Sequence, residues 1–450
     1  MRKFYDSQLI FKFYHSDSKQ SKKMQIIDNF LEKHRNIFEE MKDDFRTEKN
    51  SNKGARGLSV EQVVRIGIIK QFAQLSYRKL YDDLNDNICY RNFSKIHSGA
   101  VPKFNVLCEN IKKISPRNWK KINEALVKYA EEEGIEDGKK VRIDSTAVES
   151  NIHYPTDGEL LWDCIRVINR IVETVKDVYP DLEFNFQNHT RRSKKRRFKI
   201  VNTSKKEHRL KAYKDLIKVS RATEKYCDSC IKALSEKEMK WDAEAEVYKK
   251  ELKKYLRSLK VIINQAERRV LKGEKVASKD KLVSIFEEHT DILAKGKRKV
   301  IFGHKILLTG GASNLILDCI IERGNWSDHD KFKPAIEEVE KIYSAPPGAI
   351  AADGGFASKK NYEYATTEKG VEKVVFTKRA SAKIEKLIKT SRAYKNLKKF
   401  RAGIEGCISA VKRAYGLSKC TWRGWESFQS YVWASIIAFN LNVIADKLLL

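Results

Sequence analysis

Three acidic residues stand where chemistry is most easily done. Asp144 ends a predicted strand, Val141-Arg-Ile-Asp144, and is followed by Ser145 and Thr146. Asp353 ends another, Ala349-Ile-Ala-Ala-Asp353, and is followed by Gly354 and Gly355. Small or hydroxyl residues just past a strand end let a ligand come close to the backbone. Glu405 lies on a predicted helix within Arg401-Ala-Gly-Ile-Glu405-Gly. Arg401, Glu405 and Lys412 share one face of it, because offsets of four and seven residues return to the same side. Gly403 and Gly406 each cost that helix ~0.8 to 1.0 kcal/mol relative to Ala, so close approach of a neighbouring strand or of a phosphate backbone is expected there. Three carboxylates brought together repel unless a cation sits between them, and oxygen-only ligands suit Mg²⁺ or Mn²⁺. Two such ions ~3.5 to 4 Å apart can activate an attacking oxygen and stabilise a leaving one. The chemistry implied is phosphodiester cleavage or strand transfer. No Walker A loop, GxSxG elbow or HExxH helix suggests a different one. Glu149 is a reserve carboxylate, and His153 is expected near the first acid, behind the metal ligands rather than as a base.

The rest of the chain fits a polyanionic partner. Among 450 residues, 90 Lys+Arg stand against 60 Asp+Glu, for a net charge of +30. A hydrophobic fraction of 41% with 10% aromatic residues can fill real cores, which excludes wholesale disorder. The C-terminal apolar run from Tyr431 to Leu450 is interrupted by Asn440, Asn442, Asp446 and Lys447, so no membrane span is expected. The N-terminus does not read as a secretion signal. Eight scattered cysteines suggest a reducing cytosol rather than a disulfide framework. The single CxxC, Cys227 to Cys230, has no second pair nearby to complete a zinc site and is expected as two small residues on one helix face.

The elements that must position these residues can be read from periodicity. Residues 24 to 130 are helical. Ser59 with Gln62 forms a capping box before Val60, Val64, Ile68, Phe72 and Leu75, and Ser76 can cap a short helix carrying Leu80 and Leu84. The pair reads either as a helix-turn-helix, with Arg78 and Lys79 facing DNA, or as a small bundle with solvated charges. After the first strand, Thr156 and Glu159 open a helix lined by Leu161, Ile165, Ile168, Val172 and Val175. The basic run Arg191, Arg192, Lys194, Lys195, Arg196 and Arg197 then precedes two long amphipathic helices expected to form a hairpin. Beyond Gly296 a β-hairpin at 305–321, a helix from Ala335 to Tyr343, the Asp353 strand, a short helix near Asn361, a strand at 371–376 and two C-terminal helices give a mixed α/β layer fold, one domain interrupting another. The basic run and the stretch Lys378 to Arg401 are the candidate DNA contacts, and Trp422 and Trp425, beside Arg423, are candidates for stacking on an unpaired base.

Asp144-Ser-Thr-Ala-Val-Glu-Ser-Asn-Ile-His-Tyr-Pro-Thr-Asp157, Ala351-Ala-Asp353-Gly-Gly-Phe, and Arg401 with Glu405 and Lys412 resemble the three blocks of a bacterial insertion-sequence DDE transposase with an RNase H-like catalytic core. The last block is similar to a Tyr-x2-Arg-x3-Glu-x6-Lys signature at three of four positions, with Lys398 where tyrosine would stand. The resemblance spans about Lys139 to Leu450. It implies a helical N-terminal DNA-binding domain (1–135), an RNase H-like mixed sheet flanked by helices in two parts (139–185 and 301–450), and a basic helical-hairpin insertion (186–300). It further implies that Asp144, Asp353 and Glu405 ligate two Mg²⁺ or Mn²⁺ ions and that Arg401 and Lys412 hold DNA. Double-stranded DNA at element ends and target would be the substrate, a homodimer the working assembly, and the nucleoid in the cytoplasm the location. A non-catalytic DNA-binding descendant of such an enzyme, and a basic RNA-associated scaffold, are the other readings.

Overall fold

A computed structural model describes residues 18–45, 57–97, 99–236, 242–295, 299–377 and 392–450. The chain divides into two compact units, one made of residues 1–151 and 303–450, the other of residues 152–302.

The first unit opens with helices α1 (Lys19–Lys33), α2 (Asn36–Glu40), α3 (Lys42–Phe45), α4 (Val60–Phe72), α5 (Tyr77–Asp86), α6 (Ile88–Phe93), α7 (Phe104–Ile111) and α8 (Pro116–Glu132). Ser59 and Gln62 form the expected capping box on α4, satisfying backbone N–H groups that a helix start leaves without partners. Arg65 of α4 is fully buried, and its charge is met by Asp28, Glu32 and Glu61.

β1 (Lys140–Glu149) follows, and the chain leaves the unit until β3. The unit's remaining elements are β3 (Lys299–Gly310), which begins in the second unit, β4 (Ile316–Ile321), α13 (Asp328–Tyr343), β5 (Ala349–Asp353), α14 (Lys359–Glu363), β6 (Lys373–Thr377), α15 (Arg392–Ala414) and α16 (Trp425–Leu448). β1 is antiparallel to β3, with Asp144 opposite Leu308, and parallel to β5, with Ile143 opposite Ala352. β5 is parallel to β6, Asp353 lying opposite Thr377, and β4 is antiparallel to β3. This mixed, helix-flanked sheet, to which β2 (Asp291–Lys295) adds a sixth strand beside β3, is the arrangement expected of an RNase H-like core.

Sequence reading starts the α13 helix at Ala335, yet it starts at Asp328 and contains Pro334. Pro334, at the seventh position, has no N–H to give to the carbonyl four residues back, so the helix runs through it with that backbone bond missing. The apolar α16 is long and apolar enough by composition to cross a membrane, and it is the central core helix of this unit. Asn440, which interrupts its apolar run, accepts from Ile316 N at 2.9 Å and donates to Ile316 O and Asn123 Oδ1 at 2.8 Å each, tying α16 to the start of β4.

In the second unit α9 (Asp157–Val178), α10 (Thr190–Asn202), α11 (Lys206–Ala233) and α12 (Ala243–Ala266) enclose their own core, including Leu161, Ile165, Ile168, Leu216, Leu252 and Leu259. Cys227 and Cys230 are buried in it, and burial pushes both thiols up, Cys230 to about 12. Desolvation favours the neutral thiol and so opposes the thiolate that zinc would need. Among the described residues no three His, Cys, Asp or Glu side chains stand ready as a cation cage.

Candidate active site

The site is assembled by side chains that are small where backbones must meet. β5 carries Ala351, fully buried in one cluster with Leu397 of α15, so that α15 packs directly over β1 and β5, while Ala352 turns to the core on the other face of the sheet. Gly403 of α15 lies against the Arg142 guanidinium of β1, where a Cβ would collide, and a Cβ on Gly310 would be 2.7 Å from Ile404 Cδ1. A neighbouring strand therefore explains Gly403. Gly406 has open space around its Cα. Arg142 bridges the two elements, donating to Phe400 O at 3.1 Å and to Asn314 Oδ1 at 2.6 Å.

This packing brings Asp144, Asp353 and Glu405 around one guanidinium. Arg401 Nη2 is 2.9 Å from Asp144 Oδ2 and 3.6 Å from Asp353 Oδ1, and Arg401 Nη1 donates to Glu405 Oε1 at 2.7 Å. The side chains grade outward: Arg401 is 10% exposed, Asp144 15%, Asp353 38% and Glu405 59%. Ser145 N donates to Asp144 Oδ1 at 2.8 Å, and Thr377 Oγ1 to Asp353 Oδ1 at 3.2 Å. Burial pushes the Asp144 carboxyl up. Arg401 and the Ser145 N–H pull it down, while Asp353 and Glu405 raise it further. Lys412 donates to Ala147 O at 2.7 Å and pins α15 to β1. Arg401 and Lys412 are thus bound within the protein rather than presented to solvent. Arg401 supplies the cation among the carboxylates, a role that sequence spacing could not distinguish from DNA contact.

Thr377 was missed by sequence reading, because its place beside Asp353 follows from the β5–β6 register alone. Glu149 does not serve as a reserve. It is an odd number of residues from Asp144 along an unbroken strand, which turns it to the opposite face. His153 belongs to the second unit, where its Nε2 lies 3.3 Å from Asp163 Oδ2.

The expected DNA contacts divide. Trp422 is 2% exposed, with its ring against Tyr431 and Lys70, so it is core and no base can stack on it. Trp425 is half-buried and lies parallel to Phe428, with His304 against its edge. Lys79 pairs with Asp83, and α5 also carries Asp82 and Asp86, so the face with Arg78 and Lys79 holds more acid than base and would not attract phosphate. In α10, Arg192 and Arg196 pair with Asp215, and Arg197 pairs with Glu159. Arg191, Lys194 and Lys195 point outward. Of the stretch Lys378 to Arg401, residues 378–391 lie outside the described residues.

Residues 287–441 match the family model for a Transposase DDE domain, and residues 18–113 match one for a Transposase domain (DUF772). The first match contains Asp353, Arg401 and Glu405, while Asp144 lies outside it. No curated protein and no solved structure matches the chain.

Proposed function

Since the chain belongs to the insertion-sequence DDE transposases, we propose that Asp144, Asp353 and Glu405 form its DNA-cutting centre, acting on the ends of its own element. The observation that carries this reading is the convergence of the three carboxylates, from the middle of β1, the end of β5 and one helix, on Arg401.

The residues fit a divalent cation in kind. The donor set is all carboxylate oxygen, and three negative charges exceed the single positive charge of Arg401 by the amount one divalent ion supplies. When bound there, Mg²⁺ or Mn²⁺ ions would polarise the scissile phosphodiester and make water or a 3′-hydroxyl a better nucleophile. The chain's own groups do the positioning. Asp144 and Asp353 are fixed by the sheet and by the hydrogen bonds from Ser145 and Thr377. Glu405, more exposed, closes the site from α15, which Lys412 and Arg142 hold against β1. Arg401 neutralises the cluster and holds the three carboxylates together by its hydrogen bonds and ion pairs.

Grip on the duplex comes from unpaired cations, among them Arg191, Lys194 and Lys195 of α10, with the steep salt dependence of phosphate neutralisation. Two copies acting on paired ends, on cytoplasmic nucleoid DNA, complete the reading. The test is metal-dependent cleavage of an end-containing duplex. Asp144→Asn and Asp353→Asn should each abolish cleavage while the band shift persists. Undiminished cleavage in both variants would overturn the assignment, and a wild-type protein that shifts the duplex without nicking it in Mg²⁺ or Mn²⁺ would favour the non-catalytic alternative.

A further inference from the structure

α10 carries seven Lys or Arg residues in thirteen positions and no acid. Its inward side is satisfied: Ser193 and Ile200 are buried, and Arg192, Arg196 and Arg197 are spent on Asp215 and Glu159. The outward side differs in kind. Arg191, Lys195, Phe198 and Asn202 recur at spacings of four, three and four and form one ridge, with Lys194 and Val201 on one flank and Lys199 on the other. All seven are exposed. Phe198 is 65% exposed and Val201 61% exposed. A phenyl ring thus stands at the crest of a helix, bracketed by four cations that no acid neutralises among the described residues.

A second copy of the chain would bring four like charges against four, and an ordinary protein partner would have to supply a matching acidic face with an apolar slot. Duplex DNA offers both features at once: a line of phosphates on either side of a groove, and base steps between which an apolar side chain can slip. We propose that α10 is a wedge, inserting Phe198 between base pairs of the duplex while Arg191, Lys194, Lys195 and Lys199 hold the flanking phosphates. The inference rests on the reading that α10 meets DNA, and it adds what that contact does: it unstacks a base step.

The test uses the full-length protein without divalent metal, so that binding is read without cleavage, on end-containing duplexes in which 2-aminopurine is moved step by step. Wild-type protein should give a several-fold fluorescence rise at one step. Phe198→Ala should lose that rise and bind about ten- to a hundredfold more weakly, with the same slope of log K against log salt. Phe198→Trp should restore the rise. Lys194→Gln with Lys195→Gln should lower the salt slope by about 1.8, the value for two lost phosphate contacts. Because these side chains are exposed, thermal midpoints should not move. An equal fluorescence rise and affinity in Phe198→Ala, or an unchanged salt slope in the double lysine variant, would overturn the proposal. So would tighter binding of wild type to phosphatidylglycerol vesicles than to duplex, with only vesicle binding lost in Phe198→Ala. Asp144→Asn separates the two readings: it should keep the fluorescence rise while losing cleavage, so a failure of the carboxylate assignment leaves the wedge standing, and the reverse also holds.

Discussion

Replacing Arg401 with glutamine removes the one positive charge shared by Asp144, Asp353 and Glu405. The contributions are unequal. Glu405 is well exposed, so its pair with Arg401 is worth at most about 0.5 to 1 kcal/mol after solvent screening. Asp144 is largely but not fully buried, and stripping a buried carboxylate of its partner costs about 3 to 5 kcal/mol where burial is complete. With Asp144 partly reachable by water and the Ser145 N–H still in place, a loss of about 2 to 4 kcal/mol at pH 7 and low salt follows. The loss should depend on pH in a defined direction. Burial already raises the folded-state pKa of Asp144 above its unfolded value, so its ionisation works against folding: the stability held below the unfolded pKa is lost as pH rises through the folded one. Without Arg401 that folded pKa rises further, and the variant should fall away from wild type at a higher pH. The assay is urea denaturation from pH 4 to 8 of wild type, Arg401→Gln, Asp144→Asn and the double variant. In the double variant the cost of removing Arg401 should shrink to about 1 kcal/mol, leaving a coupling energy of 1 kcal/mol or more. Millimolar Mn²⁺ should stabilise Arg401→Gln more than wild type, since no guanidinium competes for the same oxygens. Equal losses with and without Asp144, at every pH, would refute the idea that Arg401 is the counter-ion of this cluster.

The two glycines of α15 should respond oppositely to alanine. Gly403→Ala meets the Arg142 guanidinium and should cost about 1 to 3 kcal/mol, with cleavage reduced because α15 must shift away from β1; Gly406→Ala has room and should stabilise by up to about 1 kcal/mol, both read by thermal unfolding. Lys70 is buried between the rings of Tyr77 and Trp422, and burial lowers its pKa to about 8. A lowered folded pKa on a base means that stability rises as pH climbs from 8 towards the unfolded value of about 10.4. Lys70→Met should therefore stabilise the protein at pH 7 by about 1 to 3 kcal/mol, less whatever the two rings return to the ammonium, with the gain vanishing above pH 10.5; a variant less stable than wild type at pH 7 would show that the ring contacts outweigh desolvation.

Local chemistry was legible in the chain itself. The Ser59–Gln62 cap and the apolar stripes of α9, α11 and α12 depend on neighbours within a few residues. The strand end at Asp353 is marked by small and branched residues followed by Gly354 and Gly355, whereas the end expected at Asp144 is not there: β1 runs on through Ser145 and Thr146 to Glu149 because its pairing with β3 continues, and Asp144 lies mid-strand opposite Leu308. The glycines of α15 announced a close contact, and the contact is Arg142 for Gly403. What periodicity does not encode is which charge meets which when the partners are hundreds of residues apart. The helix face showed only that Arg401 and Lys412 flank Glu405, the family resemblance implied that they hold DNA, and only the packing of α15 over β1 and β5 turned one towards three carboxylates and the other onto Ala147 O. Trp422 looked available beside Arg423 until the core closed over it, and four of the seven cations of α10 were left outward only because Asp215 and Glu159 took the other three. The order of residues along a strand or helix sets the side of the element on which each one lies. Whether that side meets water, another charge or a ligand depends on register and layer packing, and these are properties of the whole fold.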